Sequence, residues 1–297
     1  MSSQPDLFDR SLLRSRRQRA LKAAKPGADF LLKAVSADLE ERLLLVNRSF
    51  GTAVDLGGHT GLVFKAIEKS GKAGQILRAD LHIADPNQSP PDLVCDDALL
   101  PFGDQSVDLI VSALALQFVN DLPGTLIQIR RALAPDGLLM ATLPGAGTLT
   151  ELRDSLTRAE LEIKGGAAAR VLPFADTRDL GSLLQRAGFA LPVTDLDTIT
   201  VRYDNMFALL ADLRAMGATS ILHDRSRTPL SRQVLYRAAE LYAENHADPD
   251  GRIRATFALV TLSGWAPHES QQKPLRPGSA KASLAEALGV RERKIRE

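Results

Sequence analysis

Apolar and polar positions along the first half of the chain alternate between the periods of strands and of helices. Strands are predicted at 52–56, 75–80, 92–95, 107–113 and 138–143, and helices at 29–48, 62–70 and 121–133. Asp29 and Asp121 are the predicted N-caps of the first and the third of these helices. The run VDLIVSA at 107–113 is continuously apolar, as expected for a strand buried on both faces of a parallel sheet. This βαβα rhythm over about 100 residues predicts a doubly wound α/β sheet.

The second half of the chain is richer in helices. Helices are predicted at 148–163, 176–189, 206–217 and 229–245, and two further strands at 194–203 and 253–265. We therefore expect a mostly parallel, seven-stranded α/β sheet at 49–265 with cap helices around 148–250. An N-terminal helical segment would occupy 1–48. The polar, basic stretch 266–297 would form an extended tail, with 266–280 folded back on a buried Trp265 and 281–297 mobile.

Composition places the chain among ordinary globular proteins. Of its 297 residues, 44% are hydrophobic and 25% are charged. No apolar run approaches the roughly 20 residues that a membrane span needs, and no signal peptide is evident. A single cysteine, Cys95, excludes an intrachain disulfide and is typical of a reducing compartment. We expect a cytoplasmic protein.

Positive charge is concentrated at the two ends of the chain. Residues 1–25 contain seven Arg and Lys against two Asp, and residues 273–297 contain seven against three Glu. Because the net charge is only +1, the region between them is acidic and does not suit nucleic acid. The ends are either solvated tails or docking segments for an anionic partner.

The ends of the predicted strands carry the candidate chemistry, because ligands of open α/β sheets bind at the carboxyl ends of strands. The first strand ends in D-L-G-G-H-T-G (55–61), a tight turn into a helix whose N-terminal N–H groups could receive an anion. Asp80 ends the second strand, 19 residues after Gly61, a spacing that suits contact with both ribose hydroxyls of a nucleoside. Asp97 follows the third strand and could receive an exocyclic amine. The stretch SALALQ (112–117) after the fourth would line the pocket.

An acidic residue two positions before the first glycine resembles the class I S-adenosylmethionine-dependent methyltransferases, which have a Rossmann-like fold. LPF before the VDLIV strand and the later LAPDG turn are similar to the same superfamily. The resemblance implies that Asp80 binds the ribose, Asp97 binds adenine and the glycine turn passes under the methionyl part of S-adenosylmethionine. The implied cofactor-binding residues are Asp55, Gly57, Gly58, His59, Gly61, Asp80, Leu81, Asp97, Ala98, Ser112, Leu114 and Gln117.

A narrower resemblance covers nearly the whole chain. LFDR near the start, QFVNDLP, DLGSLLQRAGF, MFALLADLRAMG and the tail motif GWAPHESQ resemble the family of mitochondrial complex I assembly factor 5 and its bacterial relatives. That family is related to the malonyl-acyl-carrier-protein methyltransferase of biotin synthesis. The resemblance implies action on a protein side chain, by arginine hydroxylation or by methylation, with a peripheral-arm subunit of complex I as partner.

His59 departs from the family, whose mitochondrial members have glycine there. An imidazole in the turn would crowd the cofactor, while Thr60 could still cap the following helix. We expect weak cofactor binding, which His59→Gly should tighten. The alternative is a non-catalytic assembly chaperone with a degenerate cofactor site.

The remaining candidates are weaker, and they leave the catalytic residues unassigned. His246 and Asp248 have the spacing of an iron facial triad but need a second histidine, and His268 with Glu269 lacks the zincin pattern, so no metal is predicted. Arg153 and Arg214 could each hold an acidic substrate group or simply face solvent. Tyr203 could line the pocket or pack against it.

Overall fold

The structure is a computed structural model that describes residues 6–81, 90–272 and 289. The helices are α1 (Arg10–Ala23), α2 (Phe30–Leu45), α3 (Leu62–Ser70), α4 (Leu122–Ala132), α5 (Thr150–Lys164), α6 (Thr177–Arg186), α7 (Met206–Ala215) and α8 (Arg232–His246). The strands are β1 (Phe50–Leu56), β2 (Ala73–Asp80), β3 (Leu93–Val94), β4 (Val107–Ala113), β5 (Leu133–Pro144), β6 (Ala190–Tyr203) and β7 (Ile253–Trp265).

The seven strands form one mixed sheet in the order β3-β2-β1-β4-β5-β7-β6. Neighbours from β3 to β5 pair in parallel, whereas β7 pairs antiparallel with both β5 and β6. The strand order reverses between β1 and β4, and such a switch point opens a crevice at the carboxyl ends of the strands. The predicted seven-stranded, mostly parallel α/β sheet is confirmed.

Helices cover the sheet on both faces because each strand of its centre is apolar on both sides. The larger core cluster contains Leu39, Ile67 and Leu109, and it joins α2, α3, α5, α7 and α8 to one face. A second cluster around Ile110, Leu126 and Leu184 joins α4 and α6 to the other. Packing on both sides fixes the central strands and therefore the positions of the residues at their ends.

Helix boundaries agree closely with the sequence pattern, but two side chains predicted to cap helices make no capping hydrogen bond, although Asp29 does occupy the N-cap position of α2. The Asp29 side chain makes no capping hydrogen bond to α2 and pairs instead with Lys33 at 2.9 Å. Thr60 does not cap α3, whose N-cap position is Gly61, and the Thr60 hydroxyl is buried without a hydrogen-bond partner. Asp121 caps α4 as predicted, by accepting from the Gly124 N–H at 2.9 Å.

Helix α1 is fastened at its N-terminal end. Asp9 caps it by accepting from the Leu12 N–H at 2.9 Å. The preceding residue, Phe8, exchanges two hydrogen bonds with the Asn120 amide, at 2.8 and 3.1 Å. Phe8 is 5% exposed and packs edge-on against Phe118, next to the carboxyl end of β4. The start of the chain is therefore tied to the edge where a ligand would bind.

The chain divides into two compact units, Met1–Pro267 and His268–Glu297. At the end of the first unit, Trp265 is half-buried rather than fully buried, with the Arg48 guanidinium 5.8 Å from its ring centre. In the second unit, the His268 ring lies 2.7 Å from the Ser270 hydroxyl. The predictions for 273–297 lie outside the described residues apart from Gly289.

None of the helices in the described part of the chain is long and apolar enough to cross a membrane.

Candidate functional site

The glycine turn after β1 is built for close approach of other groups. Gly57 has a φ of 79°, and a Cβ there would overlap the side chain of Ala115. A Cβ at Gly58 would fall on the Asp55 carboxylate. Gly61 also has positive φ, at 70°. The turn therefore needs glycine at 57 for space and for backbone conformation, and at 58 for space.

His59 causes no backbone strain in this turn. It is absent from the described residues with positive φ, so its conformation is one that any residue adopts. Its ring lines the cavity described below, with Nδ1 3.4 Å from the Gly57 carbonyl oxygen. The middle position of the turn does not itself require glycine, and any effect of His59 on a ligand comes from its imidazole ring.

Asp55, at the carboxyl end of β1, is fully buried. One of its oxygens, Oδ2, accepts from the Phe64 N–H at 3.0 Å, and the other, Oδ1, has no hydrogen-bond partner. Burial raises the pKa of Asp55 to about 7, helped by the nearby charge of Asp80 and opposed by the Phe64 hydrogen bond. A buried carboxyl with an unused oxygen can accept a further donor.

Asp80 ends β2 as predicted and is 4% exposed. Its Oδ1 accepts from the Leu81 N–H at 2.6 Å. Leu81 packs in a small cluster with Phe8 and Phe118, so the end of β2 lies against the segment that leads into α1.

Asp97 follows β3 and is 5% exposed, but its carboxylate is already engaged. The Arg10 guanidinium of α1 forms an ion pair with Asp97 and a second one with Asp96 at 2.7 Å. It also donates to the Phe118 carbonyl at 3.0 Å. The Ala98 N–H donates to Asp96 at 2.9 Å. The residue predicted to receive an exocyclic amine thus holds an arginine in this structure.

The segment after β4 contributes Leu114 and Gln117 to the candidate site, whereas Ser112 connects β4 to β1. Leu114 has a φ of 51°, a strained value for this residue type, and such strain is common at functional sites. Its carbonyl accepts from Gln117 Nε2 at 2.8 Å, while Gln117 Oε1 is buried without a partner. The Ser112 hydroxyl donates to the Leu56 carbonyl of β1 at 2.8 Å.

A cavity of about 730 Å³ opens at the carboxyl ends of β1 and β4. This volume is in the range of small-molecule and cofactor sites. Its wall includes His59, Thr60, Leu114 and Gln117 from the predicted region, together with Arg17 of α1. Asp55, Asp80 and Asp97 do not line it.

The chemistry around this cavity fits a nucleoside cofactor with an amino-acid end. Three buried oxygens near the glycine turn have no hydrogen-bond partner, namely Asp55 Oδ1, Thr60 Oγ1 and Gln117 Oε1. Buried polar atoms are rarely left unpaired in native proteins, and a bound ligand is one way to satisfy them. The residues around this cavity therefore fit S-adenosylmethionine, the cofactor that the glycine turn predicts.

The sequence does not identify Arg10 and Arg17 as site residues, because its basic N-terminal segment indicates a solvated tail or a docking segment. For these two arginines that interpretation is wrong. Arg17 is 5% exposed, and burial lowers its pKa to about 10, partly offset by the charge of Asp80. Arg10, Leu13 and Arg17 follow the i, i+3, i+7 spacing of one helical face, which could have revealed them.

The other sequence candidates are not part of the cavity wall. Arg153 and Arg214 do not line it, and Tyr203 is 7% exposed within the core. His246 ends α8 against the ring of Tyr242, and Asp248 pairs with Arg202 and Arg254. The described residues contain no group of three His, Cys, Asp or Glu side chains that could hold a metal ion.

The fold and the strand-end site match a known family. The family model described as methyltransferase domain covers residues 15–192, and the chain belongs to this family. The solved structures of BH2331 from Bacillus halodurans C-125 and YcgJ from Bacillus subtilis are both similar, each with a TM-score of 0.53 and 13% identity. They cover 78% and 79% of this chain, respectively, and 99% of each of those proteins. At this identity they support the class I methyltransferase fold alone.

Similarity to curated proteins narrows the family. The chain is 37% identical to the human protein named arginine-hydroxylase NDUFAF5, mitochondrial, over 95% of its own length and 83% of that protein. It is 33% identical to a malonyl-[acyl-carrier protein] O-methyltransferase of Xylella fastidiosa, over 77% of this chain and 80% of that one. The chain therefore belongs to the NDUFAF5 family, and the predicted resemblance is confirmed.

Proposed function

We propose that this protein is an S-adenosylmethionine-binding enzyme of the cytoplasm that modifies an arginine side chain of a peripheral-arm subunit during assembly of respiratory complex I. The observation that carries the proposal is the set of unpaired buried oxygens around the glycine turn, beside a cavity of about 730 Å³. The similarity to arginine-hydroxylase NDUFAF5 supports arginine as the acceptor.

Each strand end would hold one part of the cofactor. Asp80 accepts the ribose hydroxyls, and Asp97 accepts the adenine amine on the carboxylate oxygen that Arg10 leaves available, since a carboxylate offers about four acceptor positions. Gly57 and Gly58 leave space for the methionyl part.

S-adenosylmethionine supplies a methyl group on a positively charged sulfur. This chain would position an acceptor in the cavity in line with that group, and positioning alone supplies much of the acceleration of such a transfer. His59, Thr60 and Gln117 line the cavity beside the glycine turn, so they would exclude water from the reacting atoms.

Titration calorimetry with S-adenosylmethionine, followed by mass spectrometry of a peripheral-arm subunit incubated with the enzyme, tests the proposal. We expect binding and a mass increase on an arginine. Methylation adds a net CH2, because the methyl group from the sulfonium replaces a hydrogen that leaves as a proton, and hydroxylation adds one oxygen atom when dioxygen and a reductant are supplied. Asp80→Ala should weaken nucleoside binding by about 1–3 kcal/mol, because hydroxyl groups then lose their acceptor. Asp104→Ala, a change in an exposed ion pair with Arg131, is the matched control.

A protein that binds neither S-adenosylmethionine nor S-adenosylhomocysteine at millimolar concentration, yet binds the subunit, would instead be a non-catalytic assembly chaperone. Equal affinity of the Asp80→Ala variant and the unaltered protein for S-adenosylhomocysteine would remove Asp80 from the site.

A further inference from the structure

Arg17 is a buried cation whose hydrogen-bonding capacity is largely unused. A guanidinium has five N–H donors. Within residues 6–81 and 90–272, its one hydrogen-bond acceptor is the Leu114 carbonyl, 3.1 Å from Nη2, and no carboxylate lies within ion-pair distance. Its planar group also lies over the Phe118 ring, with the guanidinium carbon 5.3 Å from the ring centre. Burying a charge with so few partners is costly, unless a ligand supplies the missing ones.

The charge of Arg17 is retained despite its burial. Burial lowers the pKa of Arg17 to about 10, so the side chain stays positive near neutral pH. Asp80 attracts it from the end of β2, and Arg10 repels it. Arg17 also lines the cavity, so its unused donors are within reach of a ligand.

Gln117 binds the same Leu114 carbonyl oxygen as Arg17 and offers the complementary group, a hydrogen-bond acceptor. Its Nε2 donates to the Leu114 carbonyl at 2.8 Å, and its Oε1 is buried and unpaired. Leu114 is thus contacted by a cation with unused donors and by an amide with an unused acceptor. The strained φ of Leu114, 51°, holds this carbonyl between the two side chains at the end of β4.

We propose that Arg17 and Gln117 form a receptor for an α-amino-acid group, in which Arg17 binds the carboxylate and Gln117 Oε1 binds the ammonium. The ligand is the amino-acid end of the cofactor, and the inference therefore rests on the proposed function. The position of Arg17 supports the cofactor as the source of this amino-acid group. Arg17 lies near Asp80, at the nucleoside end, and near Leu114, beside the glycine turn. Helix α1 would thereby become part of the cofactor site.

Two ligands that differ only beyond the thioether sulfur test the receptor. S-adenosylhomocysteine carries the amino-acid group, whereas 5′-methylthioadenosine has the same nucleoside without it. By calorimetry, Arg17→Met should weaken S-adenosylhomocysteine binding roughly 10- to 100-fold, as expected for lost hydrogen bonds to a charged group. Its affinity for 5′-methylthioadenosine should change less than about threefold. Methionine fills a buried site without charge, so the variant should fold.

Arg17→Lys keeps the charge but loses the planar fork, so it should recover part of the lost affinity for S-adenosylhomocysteine only. Arg19→Met is the matched control, because Arg19 lies on the same helix and is exposed, with its Nε donating to Ser15. It should bind both ligands as the unaltered protein does.

Unchanged binding of S-adenosylhomocysteine by Arg17→Met would overturn the inference and leave the proposed function intact. An equal loss of affinity for both ligands would also overturn it, because Arg17 would then act on binding of the nucleoside or on the position of α1. If the unaltered protein binds neither ligand, the proposed function itself fails.

Discussion

His59 occupies the middle of a glycine turn in which only its neighbours need to be glycine. Gly57 and Gly61 have positive φ, and His59 does not. The sequence predicts that the imidazole at position 59 crowds the cofactor, and in the structure a ligand would meet only the volume and polarity of that ring.

His59→Gly should tighten S-adenosylhomocysteine binding by up to about tenfold, because the variant removes a ring from the cavity wall without altering the turn. Gly57→Ala is the contrasting variant. It should weaken binding by at least about tenfold, since its Cβ would overlap Ala115 and its φ of 79° disfavours alanine. Calorimetry checks both changes. The opposite order of the two affinities would mean that His59, rather than Gly57, sets the shape of the turn.

Asp55 should make stability depend on pH. Burial raises its pKa to about 7 from an ordinary value of 3.8. Between these values the folded protein keeps a proton that the unfolded chain releases, so the free energy of unfolding decreases as pH rises, by about 1.4 kcal/mol per pH unit for one proton. Above about pH 7 both states are ionised, and the slope from this residue disappears.

Asp55→Asn removes this titration, so urea unfolding between pH 4 and 8 should show a shallower decrease for the variant. The difference between the two proteins isolates Asp55 from the other acids. Parallel pH profiles would show that Asp55 is ionised in the folded protein throughout this range.

The sequence placed Asp55, Asp80 and Asp97 correctly at strand ends, because strand boundaries follow directly from apolar runs. It did not place Arg10 or Arg17. Their partners, Asp97 and Leu114, lie about 90 residues further along the chain, and only tertiary packing brings α1 to them. Charge composition alone could not separate these inward arginines from exposed ones such as Arg19.

Helix α1 depends on Arg10 for its attachment to the strand ends. The Arg10 side chain is 16% exposed and that of Asp97 is 7% exposed, so the ion pair between them is largely shielded from water. Arg10→Ala should lower the free energy of unfolding by about 2–4 kcal/mol, because a buried carboxylate then loses its cation. Arg19→Ala should change it by less than about 0.5 kcal/mol. Urea denaturation measures both, and equal effects would mean that α1 is held by its apolar face alone.

Glu160 of α5 anchors the loop that carries Leu172 and Phe174 into the cavity wall. It is 2% exposed and pairs with Arg170 at 2.7 Å, and it also accepts from the Ala168 N–H at 3.1 Å. These contacts, Arg170 first, lower the pKa of Glu160 to about 2. Glu160→Gln should reduce the free energy of unfolding by about 1.5–3 kcal/mol at neutral pH.

The sign of the pH dependence at Glu160 is opposite to that at Asp55. The stabilisation is fully present above the ordinary pKa of 4.5 and is lost as pH falls toward about 2. The difference between Glu160→Gln and the unaltered protein should therefore shrink over that interval. Glu162→Gln is the control, since Glu162 lies on the same helix in an exposed pair with Arg237. A larger effect at Glu162 would contradict the anchoring role of Glu160.

Elements whose sequence shows one clear period agree best with the prediction. Elements whose ends are set by pairing with another strand agree less well. The bounds of α3 and β7 agree with the predictions because their patterns end at clear breaks, Gly71 and Ala266. Strand β6 begins four residues before the predicted start at Thr194, because β7 offers a full-length partner as far as Trp265. The first four residues of β6, ALPV, do not alternate and include Pro192, which argues against a strand, so the sequence does not show this.

The first compact unit, which spans Met1–Pro267, brings α1, β1, β2 and β4 together at one site. A ligand that contacts all of them stabilises the unit against unfolding in proportion to the logarithm of its concentration over Kd. S-adenosylhomocysteine at about 100 times its Kd should add about 2.7 kcal/mol. For a unit of this size the gain corresponds to a rise in Tm of about 5 to 10 °C.

Thermal unfolding should therefore show one transition that moves upward with ligand, in which α1 unfolds together with the sheet. Asp80→Ala provides the internal test at the same ligand concentration. If its affinity falls about tenfold, the stabilisation should drop to about 1.4 kcal/mol, roughly half that of the unaltered protein. A Tm that stays constant up to millimolar ligand in both proteins would mean that the strand ends, although arranged as in a methyltransferase, no longer bind the cofactor. The fold would then serve assembly only as a binding surface.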